Sequence, residues 1–212
     1  MSYKIKEIYY TLQGEGFHSG RAAVFCRFSG CNFWTGLEKD RARAICNFCD
    51  TDFVGVNGAN GGLYDAKNLA GSVRKLWVEH AGLGTCTPLV VCTGGEPLLQ
   101  MDTELVREFH GFGFEVAVET NGSIMPPNSV DHVCVSPKTS DFILRHGEEL
   151  KVVFPQAGID PTKLEMLDFD NFYLQPKDGI DAEKNTQATI QYCLDHPTWK
   201  LSLQTHKFLG IP

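Results

Sequence analysis

Short runs in which apolar and polar residues alternate recur along the chain and indicate β-strands. They are rich in Val, Ile, Phe and Tyr, and Gly, Pro or Asn residues stand at their ends, as is typical of strands. The runs predicted as strands are residues 4–12, 22–30, 88–94, 114–120, 132–137, 150–155, 171–176 and 201–207. The segment at residues 54–62 contains four glycines and two asparagines and is predicted to be an irregular loop.

Apolar residues at helical spacing lie between several of these strands. Leu69, Val73 and Trp77 recur along one face of a helix that Asp65 would cap. A second helix is predicted near residues 102–111, and a third near 182–194 must end before Pro197. Strands that alternate with helices predict an α/β fold with mostly parallel strands, in a sheet that is open or closed into a partial barrel.

The composition of the 212 residues indicates a compact domain rather than a disordered or fibrous chain. Hydrophobic residues make up 42% of the chain and charged residues 21%. No internal repeat or linker divides the chain, so we expect a single domain over residues 1–212. The net charge of −7 argues against binding along a nucleic-acid backbone. No segment has the pattern of a membrane span or signal peptide, so we expect a cytoplasmic protein with no membrane partner.

Eight cysteines in a cytoplasmic protein indicate metal or redox chemistry rather than a disulfide framework. Four of them fall within residues 26–49, namely Cys26, Cys31, Cys46 and Cys49. The other four lie in apolar surroundings and are expected to be buried as small hydrophobic residues; they are Cys86, Cys92, Cys134 and Cys193.

The spacing of the four clustered cysteines, C-x4-C-x14-C-x2-C, is close to that of a zinc ribbon. Cys26, however, shares a strand face with Val24 and Phe28, which favours burial in the core. The three remaining thiolates suit a metal cluster with one open position. A cubane iron–sulfur cluster of this kind could bind the amine and carboxylate of S-adenosylmethionine (SAM) at its fourth iron. The spacing alone leaves the zinc site and the cluster as alternatives.

Polar or glycine-rich segments follow several predicted strands, at residues 93–97, 119–122, 136–138 and 175–178. Each alone would suit an ordinary turn or helix cap. Because ligands in such folds bind at the carboxyl ends of the strands, the recurrence of these segments predicts one shared site.

Two motifs resemble those of radical SAM enzymes: CNFCDT at residues 46–51 and VVCTGGEPLLQ at residues 90–100. Segments at residues 10–34, 136–140, 174–178 and 203–212 resemble the 7-carboxy-7-deazaguanine synthase family more narrowly. The resemblance implies the partial (β/α) barrel of radical SAM enzymes. The usual superfamily spacing is C-x3-C-x2-C, but Thr35 occupies the second position here. An inserted loop at about residues 35–45 supplies Cys46 instead.

The resemblance assigns residues to a 4Fe–4S cluster and to SAM. It implies Cys31, Cys46 and Cys49 as the cluster ligands. The residues that it places around SAM are Phe48, Asp50, Gly94, Gly95, Glu96, Ser136, Lys138, Gln175, Pro176, Lys177 and Asp178. From the residues alone, Phe48 could be core packing and the proline-containing segments ordinary turns, so these roles depend on the resemblance.

The resemblance also implies a Mg²⁺ site and a substrate pocket. Thr51 offers Mg²⁺ one hard oxygen, although the sequence alone favours a helix cap. The residues implied around the substrate are Leu12, Gln13, Gly14, Glu15, Arg27, Thr93, His206 and Pro212. A buried Arg27 would need a carboxylate partner, which the substrate could supply; the alternative is a solvated charge. His206 fits a proton shuttle and a core histidine equally well.

The activity that the resemblance implies is a radical-mediated ring contraction. It converts 6-carboxy-5,6,7,8-tetrahydropterin to 7-carboxy-7-deazaguanine with loss of ammonia, in queuosine biosynthesis. Because SAM carries the radical in this carbon–nitrogen lyase reaction, no side chain is predicted to be catalytic. The expected partners are the pterin, an electron donor such as flavodoxin, and a second copy of the chain in a homodimer. A glycyl-radical activating enzyme and a non-catalytic zinc module remain the alternatives.

Overall fold

A computed structural model of the protein describes residues 2–212. Its strands are β1 (Tyr3–Leu12), β2 (Ala22–Phe28), β3 (Gly62–Tyr64), β4 (Leu89–Gly94), β5 (Glu115–Thr120), β6 (His132–Val135), β7 (His146–Phe154), β8 (Asp168–Pro176) and β9 (Trp199–Leu201). Together they form one sheet in the spatial order β3-β1-β2-β4-β5-β6-β7-β8-β9. β1 is antiparallel to β2 and β3, and each of the other neighbouring pairs is parallel. The prediction of an α/β fold with mostly parallel strands is therefore confirmed, and the sheet is not closed.

The predicted helices are present close to their expected bounds. The α-helices are α1 (Ala66–Ala81), α2 (Thr103–Gly111), α3 (Ala182–Asp195) and α4 (Thr205–Leu209), and 3-10 helices lie at Glu38–Arg43, Pro97–Leu99 and Pro161–Leu164. The carboxylate of Asp65 accepts a hydrogen bond from the Asn68 N–H, and that of Asp102 accepts one from Leu105, so both helices begin at their predicted caps. Among residues 2–212, no helix combines the length and the apolar character needed to cross a bilayer.

The two faces of the sheet differ in character. On one face, Val24, Cys26, Val90 and Cys92 are fully buried in the hydrophobic core, together with the apolar residues of α1 and α2. Strand residues that alternate with them point to the opposite face, because successive side chains along a strand alternate. Arg27 and Thr93 lie on that opposite face, where the polar residues of several strands meet.

Predictions for two strands and two cysteines require correction. Residues 201–207 were predicted as a strand, but β9 ends at Leu201 and Thr205–Leu209 is a short helix that Gly210 ends in a left-handed conformation. The strand predicted at residues 150–155 begins earlier, at His146. Cys86 was expected to be buried, but it is exposed because it lies in the turn between α1 and β4; Cys193 is only partly buried.

Candidate active site

The polar face of the sheet opens into a cavity of about 380 Å³. Side chains near the carboxyl ends of the parallel strands line it, and the loop between β2 and β3 and the end of the chain complete its wall. Every residue that the sequence predicted for the cluster, SAM, Mg²⁺ or the substrate lines this cavity, except Glu96. The fold therefore brings together residues from both ends of the chain.

Three thiols, those of Cys31, Cys46 and Cys49, line this cavity. A hydrogen bond from the Cys46 thiol lowers the pKa of Cys49 to about 6, although burial opposes the shift. Among residues 2–212, no three Cys, His, Asp or Glu side chains converge closely enough to hold a single metal ion. A cubane cluster is held by cysteine thiolates, each bound to a different iron, and three thiols that line one cavity are a donor set of that kind.

The inserted segment folds back over the loop that carries Cys46 and Cys49. Arg41, on the 3-10 helix Glu38–Arg43, donates through Nη1 to the carbonyl oxygens of Asn47 (3.1 Å) and Cys49 (2.9 Å). Its guanidinium carbon also lies 4.1 Å from the centre of the Trp34 ring. The insertion thus stabilises the segment between two predicted cluster ligands.

Gly94 and Gly95 allow a close approach between β4 and the backbone that follows β2. A Cβ at Gly94 would lie 2.2 Å from the Phe28 carbonyl oxygen, and one at Gly95 would lie 2.0 Å from that of Gly30. The Gly95 N–H donates to the Phe28 carbonyl oxygen (3.2 Å). Only glycine fits these positions, and the resulting contact places Cys31 beside the end of β4.

Glu96 lies behind the cavity wall and is fully buried. Its carboxylate accepts hydrogen bonds from the Leu98 N–H (3.1 Å), the Thr120 hydroxyl (2.9 Å) and the Asn121 N–H (2.8 Å). Burial raises the pKa of Glu96 in spite of these donors. In this structure Glu96 therefore joins the end of β4 to the end of β5 rather than facing the cavity.

A network of amides and charged groups lines another part of the cavity. Gln13 Nε2 donates to Glu119 Oε1 (2.9 Å), and the Glu15 N–H donates to Gln13 Oε1 (3.1 Å). Lys151 Nζ lies 2.6 Å from Glu15 Oε2 and 3.4 Å from Glu119 Oε1. Gln204 Nε2 donates to Glu15 Oε1 (3.0 Å). Gln13 and Glu15, which the sequence predicted to contact the substrate, therefore lie in one network. Glu119, which had no assigned role, lies beside them.

Arg27 has protein partners on the neighbouring strand. Its Nε donates to Glu7 Oε1 (2.8 Å) and its Nη2 to the Tyr9 hydroxyl (2.8 Å). Glu7 pairs with Arg27 in the register between β1 and β2. The carboxylate partner that a buried arginine requires is thus already present, while Arg27 still lines the cavity.

The last residues of the chain reach the cavity through α4. Thr205 donates through its N–H (3.1 Å) and its hydroxyl (2.9 Å) to the Gly14 carbonyl oxygen. A Cβ at Gly14 would lie 2.4 Å from His206 Nδ1, so a side chain at position 14 would displace His206. The Thr11 hydroxyl donates to an oxygen of the terminal residue, Pro212 (3.1 Å).

Lys207 connects two parts of the cavity wall at its exposed rim. Its Nζ donates to Asp50 Oδ2 (2.8 Å) and to the carboxylate of Asp178. Burial alone would raise the pKa of Asp50, but the hydrogen bond and charge of Lys207 outweigh it and lower that pKa. Asp50 and Asp178, both predicted to lie near SAM, are therefore each paired with Lys207.

The remaining polar residues make local contacts around the cavity. Lys138 Nζ donates to Ser136 Oγ (2.6 Å), and Gln175 Oε1 accepts from Ser202 Oγ (3.2 Å). The Thr51 hydroxyl is 3.5 Å from Asp50 Oδ1, which is a weak contact that leaves it available.

Full-length relatives identify the family. The 7-carboxy-7-deazaguanine synthases of Caulobacter vibrioides, Bordetella pertussis and Nitratidesulfovibrio vulgaris are 55%, 54% and 50% identical to the chain, and each alignment covers 100% of both sequences. The chain belongs to the 7-carboxy-7-deazaguanine synthase family. No protein-family profile matches the chain. The crystal structure of QueE from Escherichia coli matches its fold with a TM-score of 0.67, at 23% identity, over 96% of this chain and 94% of that one.

Membership of the 7-carboxy-7-deazaguanine synthase family confirms the resemblance found in the sequence and decides against the activating enzyme and the zinc module. Sequence reasoning nevertheless missed several residues that line the cavity; they include Glu7, Tyr9, Lys151, Gln204 and Lys207. One signal was available, because Lys151 interrupts the apolar run LKVVFP of a buried strand. A lysine at such a position needs a carboxylate partner.

Proposed function

We propose that this chain catalyses the 7-carboxy-7-deazaguanine synthase reaction in the cavity at the ends of its strands. The reaction converts 6-carboxy-5,6,7,8-tetrahydropterin to 7-carboxy-7-deazaguanine with loss of ammonia, a lyase step in queuosine biosynthesis. The observation that carries this function is the meeting, in one cavity, of three thiols with the network of Gln13, Glu15 and Glu119. The thiols would suit any radical SAM enzyme, whereas the amide and carboxylates match the hydrogen-bonding edge of a pterin.

We propose that Cys31, Cys46 and Cys49 hold a 4Fe–4S cluster and that SAM binds beside it. When bound, the cluster and SAM supply the one-electron chemistry that removes a hydrogen atom from the substrate. The chain itself positions the substrate and excludes water. The residues proposed to surround SAM, all lining the cavity, are Phe48, Asp50, Gly94, Gly95, Ser136, Lys138, Gln175, Pro176, Lys177 and Asp178. Glu96 would reach SAM only if it gave up its contacts with Thr120 and Asn121.

The pterin is proposed to bind against the residues that the sequence predicted for the substrate. Gln13 and Glu15 supply acceptors and a donor for its ring edge. Arg27 uses Nε and Nη2 for Glu7 and Tyr9, and its Nη1 donates to no other residue in the described chain. This group is therefore available to the substrate carboxylate. The other proposed substrate contacts are Leu12, Gly14, Thr93, His206 and Pro212, which line the same cavity.

We also propose a Mg²⁺ site at Thr51. The neighbouring carboxylates already have cationic partners, since Asp50 is paired with Lys207 and Asp52 with Lys6, at 2.8 Å each. The Thr51 hydroxyl, with only its weak contact to Asp50, is then a hard oxygen that is available on this part of the cavity wall. One hydroxyl is a poor magnesium site by itself, so the substrate carboxylate and water would complete the octahedron.

Further proposals concern the setting in which the enzyme works. The chain would act as a single radical SAM domain in the cytoplasm, as a homodimer that receives electrons from a donor such as flavodoxin. A single sheet that includes strands from Tyr3 to Leu201 supports the single domain, and eight free cysteines suit a reducing compartment. Light scattering after gel filtration tests the dimer, and turnover with reduced flavodoxin tests the donor.

Anaerobic reconstitution tests the function directly. The reconstituted enzyme is incubated with SAM, a reductant and 6-carboxy-5,6,7,8-tetrahydropterin, and 7-carboxy-7-deazaguanine and 5′-deoxyadenosine are measured by liquid chromatography. We expect many product molecules per SAM consumed, and no product from the Cys46→Ala variant. The absence of product from a fully reconstituted enzyme, or the consumption of one SAM molecule for each product molecule, would overturn the proposal.

A further inference from the structure

Lys151 occupies the centre of the polar network and has no role in the function described so far. It extends from β7 with only 5% of its side chain exposed. Its Nζ lies 2.6 Å from Glu15 Oε2 and 3.4 Å from Glu119 Oε1. These two carboxylates come from distant parts of the chain, since Glu15 lies in the loop after β1 and Glu119 lies in β5.

The ammonium group of Lys151 lies between the two carboxylates and favours the ionised form of Glu15. Burial alone would raise the pKa of Glu15, but the charge and hydrogen bond of Lys151 outweigh it and the pKa is lowered. The pKa of Lys151 is itself raised, because the charges of Glu119 and Glu15 outweigh the effect of burial. A carboxylate that stays ionised is only an acceptor, whereas a protonated one also donates. Lys151 thus determines which ligand edge this surface can recognise.

The network also fixes how the two carboxylates are oriented. Gln204 Nε2 donates to Glu15 Oε1, and Gln13 Nε2 donates to Glu119 Oε1. Glu119 Oε2 accepts from no residue between positions 2 and 212, while Glu119 lines the cavity with 22% of its side chain exposed. One carboxylate oxygen of Glu119 is therefore left without a protein donor beside the cavity.

Other titratable groups face this pair, and none replaces Lys151. They are Tyr9 on β1, Arg27 on β2, His132 and Cys134 on β6, Glu149 on β7 and His206 on α4. Arg27 is bound to Glu7 and Tyr9, and His132 is bound to Glu149. Lys151 is accordingly the cation that contacts both carboxylates.

We propose that Lys151 is a positioning residue that holds Glu15 and Glu119 as paired acceptors for the N–H and 2-amino groups of the pterin, and so selects 2-amino pterins over their 2-oxo analogues. A 2-oxo ring presents a carbonyl oxygen where the pterin presents an amino group. That oxygen would meet an ionised carboxylate and leave it without a donor. This inference rests on the proposed function.

The test compares substrate binding and turnover in matched variants. Wild type, Lys151→Met, Lys151→Arg and the double variant Lys151→Met/Glu119→Gln are reconstituted, with the exposed Lys163→Met as the control. Anaerobic calorimetry in the presence of SAM measures the affinity for 6-carboxy-5,6,7,8-tetrahydropterin and for its 2-oxo analogue. The pH dependence of kcat/KM is then measured for each folded variant.

We expect Lys151→Met to weaken pterin binding by about ten-fold or more, because it removes the cation that contacts both acceptors and keeps Glu15 ionised. Its kcat/KM should begin to fall at a higher pH on acidification, since the pKa of Glu15 rises without the lysine. Lys151→Arg should retain the wild-type acidic limb, and SAM affinity should be unchanged throughout. A purely structural role for Lys151 would not move the pH profile.

Two results would overturn the inference, and the first does not depend on whether Lys151→Met folds. Wild-type enzyme that binds the 2-oxo analogue as tightly as the pterin would show that no such selection exists. A folded Lys151→Met or double variant with wild-type selectivity and the wild-type acidic limb would show that Lys151 does not produce it. Failure of the wild type to convert the pterin at all would instead refute the proposed function, which makes the two failures distinguishable.

Discussion

Cys26 and Cys46 are buried residues of the same type that lie in different surroundings. Cys26 is fully buried between the sheet and its helices, whereas Cys46 lines the cavity beside Cys49. We expect Cys46→Ala to lose the cluster and all SAM cleavage, because a site with three ligands has none to spare. Cys26→Ala should keep nearly normal iron content. Iron and sulfide analysis after anaerobic reconstitution checks both, and equal loss of iron in the two variants would indicate a four-thiolate site.

Thr51 provides a second prediction for a single side chain. Its hydroxyl makes only a weak 3.5 Å contact to Asp50 and lies beside the predicted cluster ligands, so Thr51→Ala should weaken the activation by Mg²⁺ several-fold while SAM affinity is retained. A magnesium titration of turnover measures the effect. Thr35→Ala, in the exposed inserted segment, is the matched control. A titration curve identical to that of the wild type would remove Thr51 from the proposed site.

The inserted 3-10 helix acts through one side chain. Arg41 donates hydrogen bonds to the carbonyl oxygens of Asn47 and Cys49. Its loss should therefore make the segment between two predicted cluster ligands more mobile. We expect Arg41→Gln to release iron several-fold faster to a chelator, with Arg43→Gln, exposed on the same helix, as the control. Absorbance of the cluster during chelation gives the rates. Equal rates in the two variants would show that the insertion does not stabilise the loop.

The C-terminal element places Pro212 at the cavity. Pro212 accepts a hydrogen bond from Thr11 and lines the cavity, although chain ends are usually frayed. A C-terminal tag would displace Pro212 from this contact and should raise the KM for the pterin by about ten-fold or more, which corresponds to about 1.4 kcal/mol. SAM binding and cluster content should be unaffected. An N-terminal tag is the control, and an unchanged KM in the C-terminally tagged enzyme would limit Pro212 to packing.

At the scale of the whole molecule, the hydrophobic core and the cavity lie on opposite faces of one sheet. The core residues from the sheet, α1 and α2 do not include the three predicted cluster ligands. We therefore expect the cluster-free protein to remain folded, unlike a domain whose folding depends on a structural metal. Far-UV circular dichroism of apo and reconstituted protein should coincide, and reconstitution should only raise Tm by ligand linkage. An apo spectrum typical of an unfolded chain would contradict this separation.

Local patterns in the sequence were sufficient to predict most elements and the face on which residues lie. Asp65 and Asp102 cap their helices because an N-cap depends on residues within three or four positions. Cys26 is in the core and Arg27 on the polar face because side chains alternate along any strand. The grouping of polar strand ends followed from the parallel order of the strands. These features depend on short-range geometry, which neighbouring residues determine.

Only the tertiary structure decided the features that depend on contacts between distant residues. Residues 205–209 form a helix rather than a strand, and the helix begins where Thr205 donates to the Gly14 carbonyl oxygen. Glu7, rather than the substrate alone, partners Arg27 because of the register of β1 against β2. Lys151 lies between Glu15 and Glu119 because the loop after β1, strand β5 and strand β7 converge on one face of the sheet. The charge of a buried group and its partner depend on this convergence, since the energy of burying a charge is determined by what surrounds it in space.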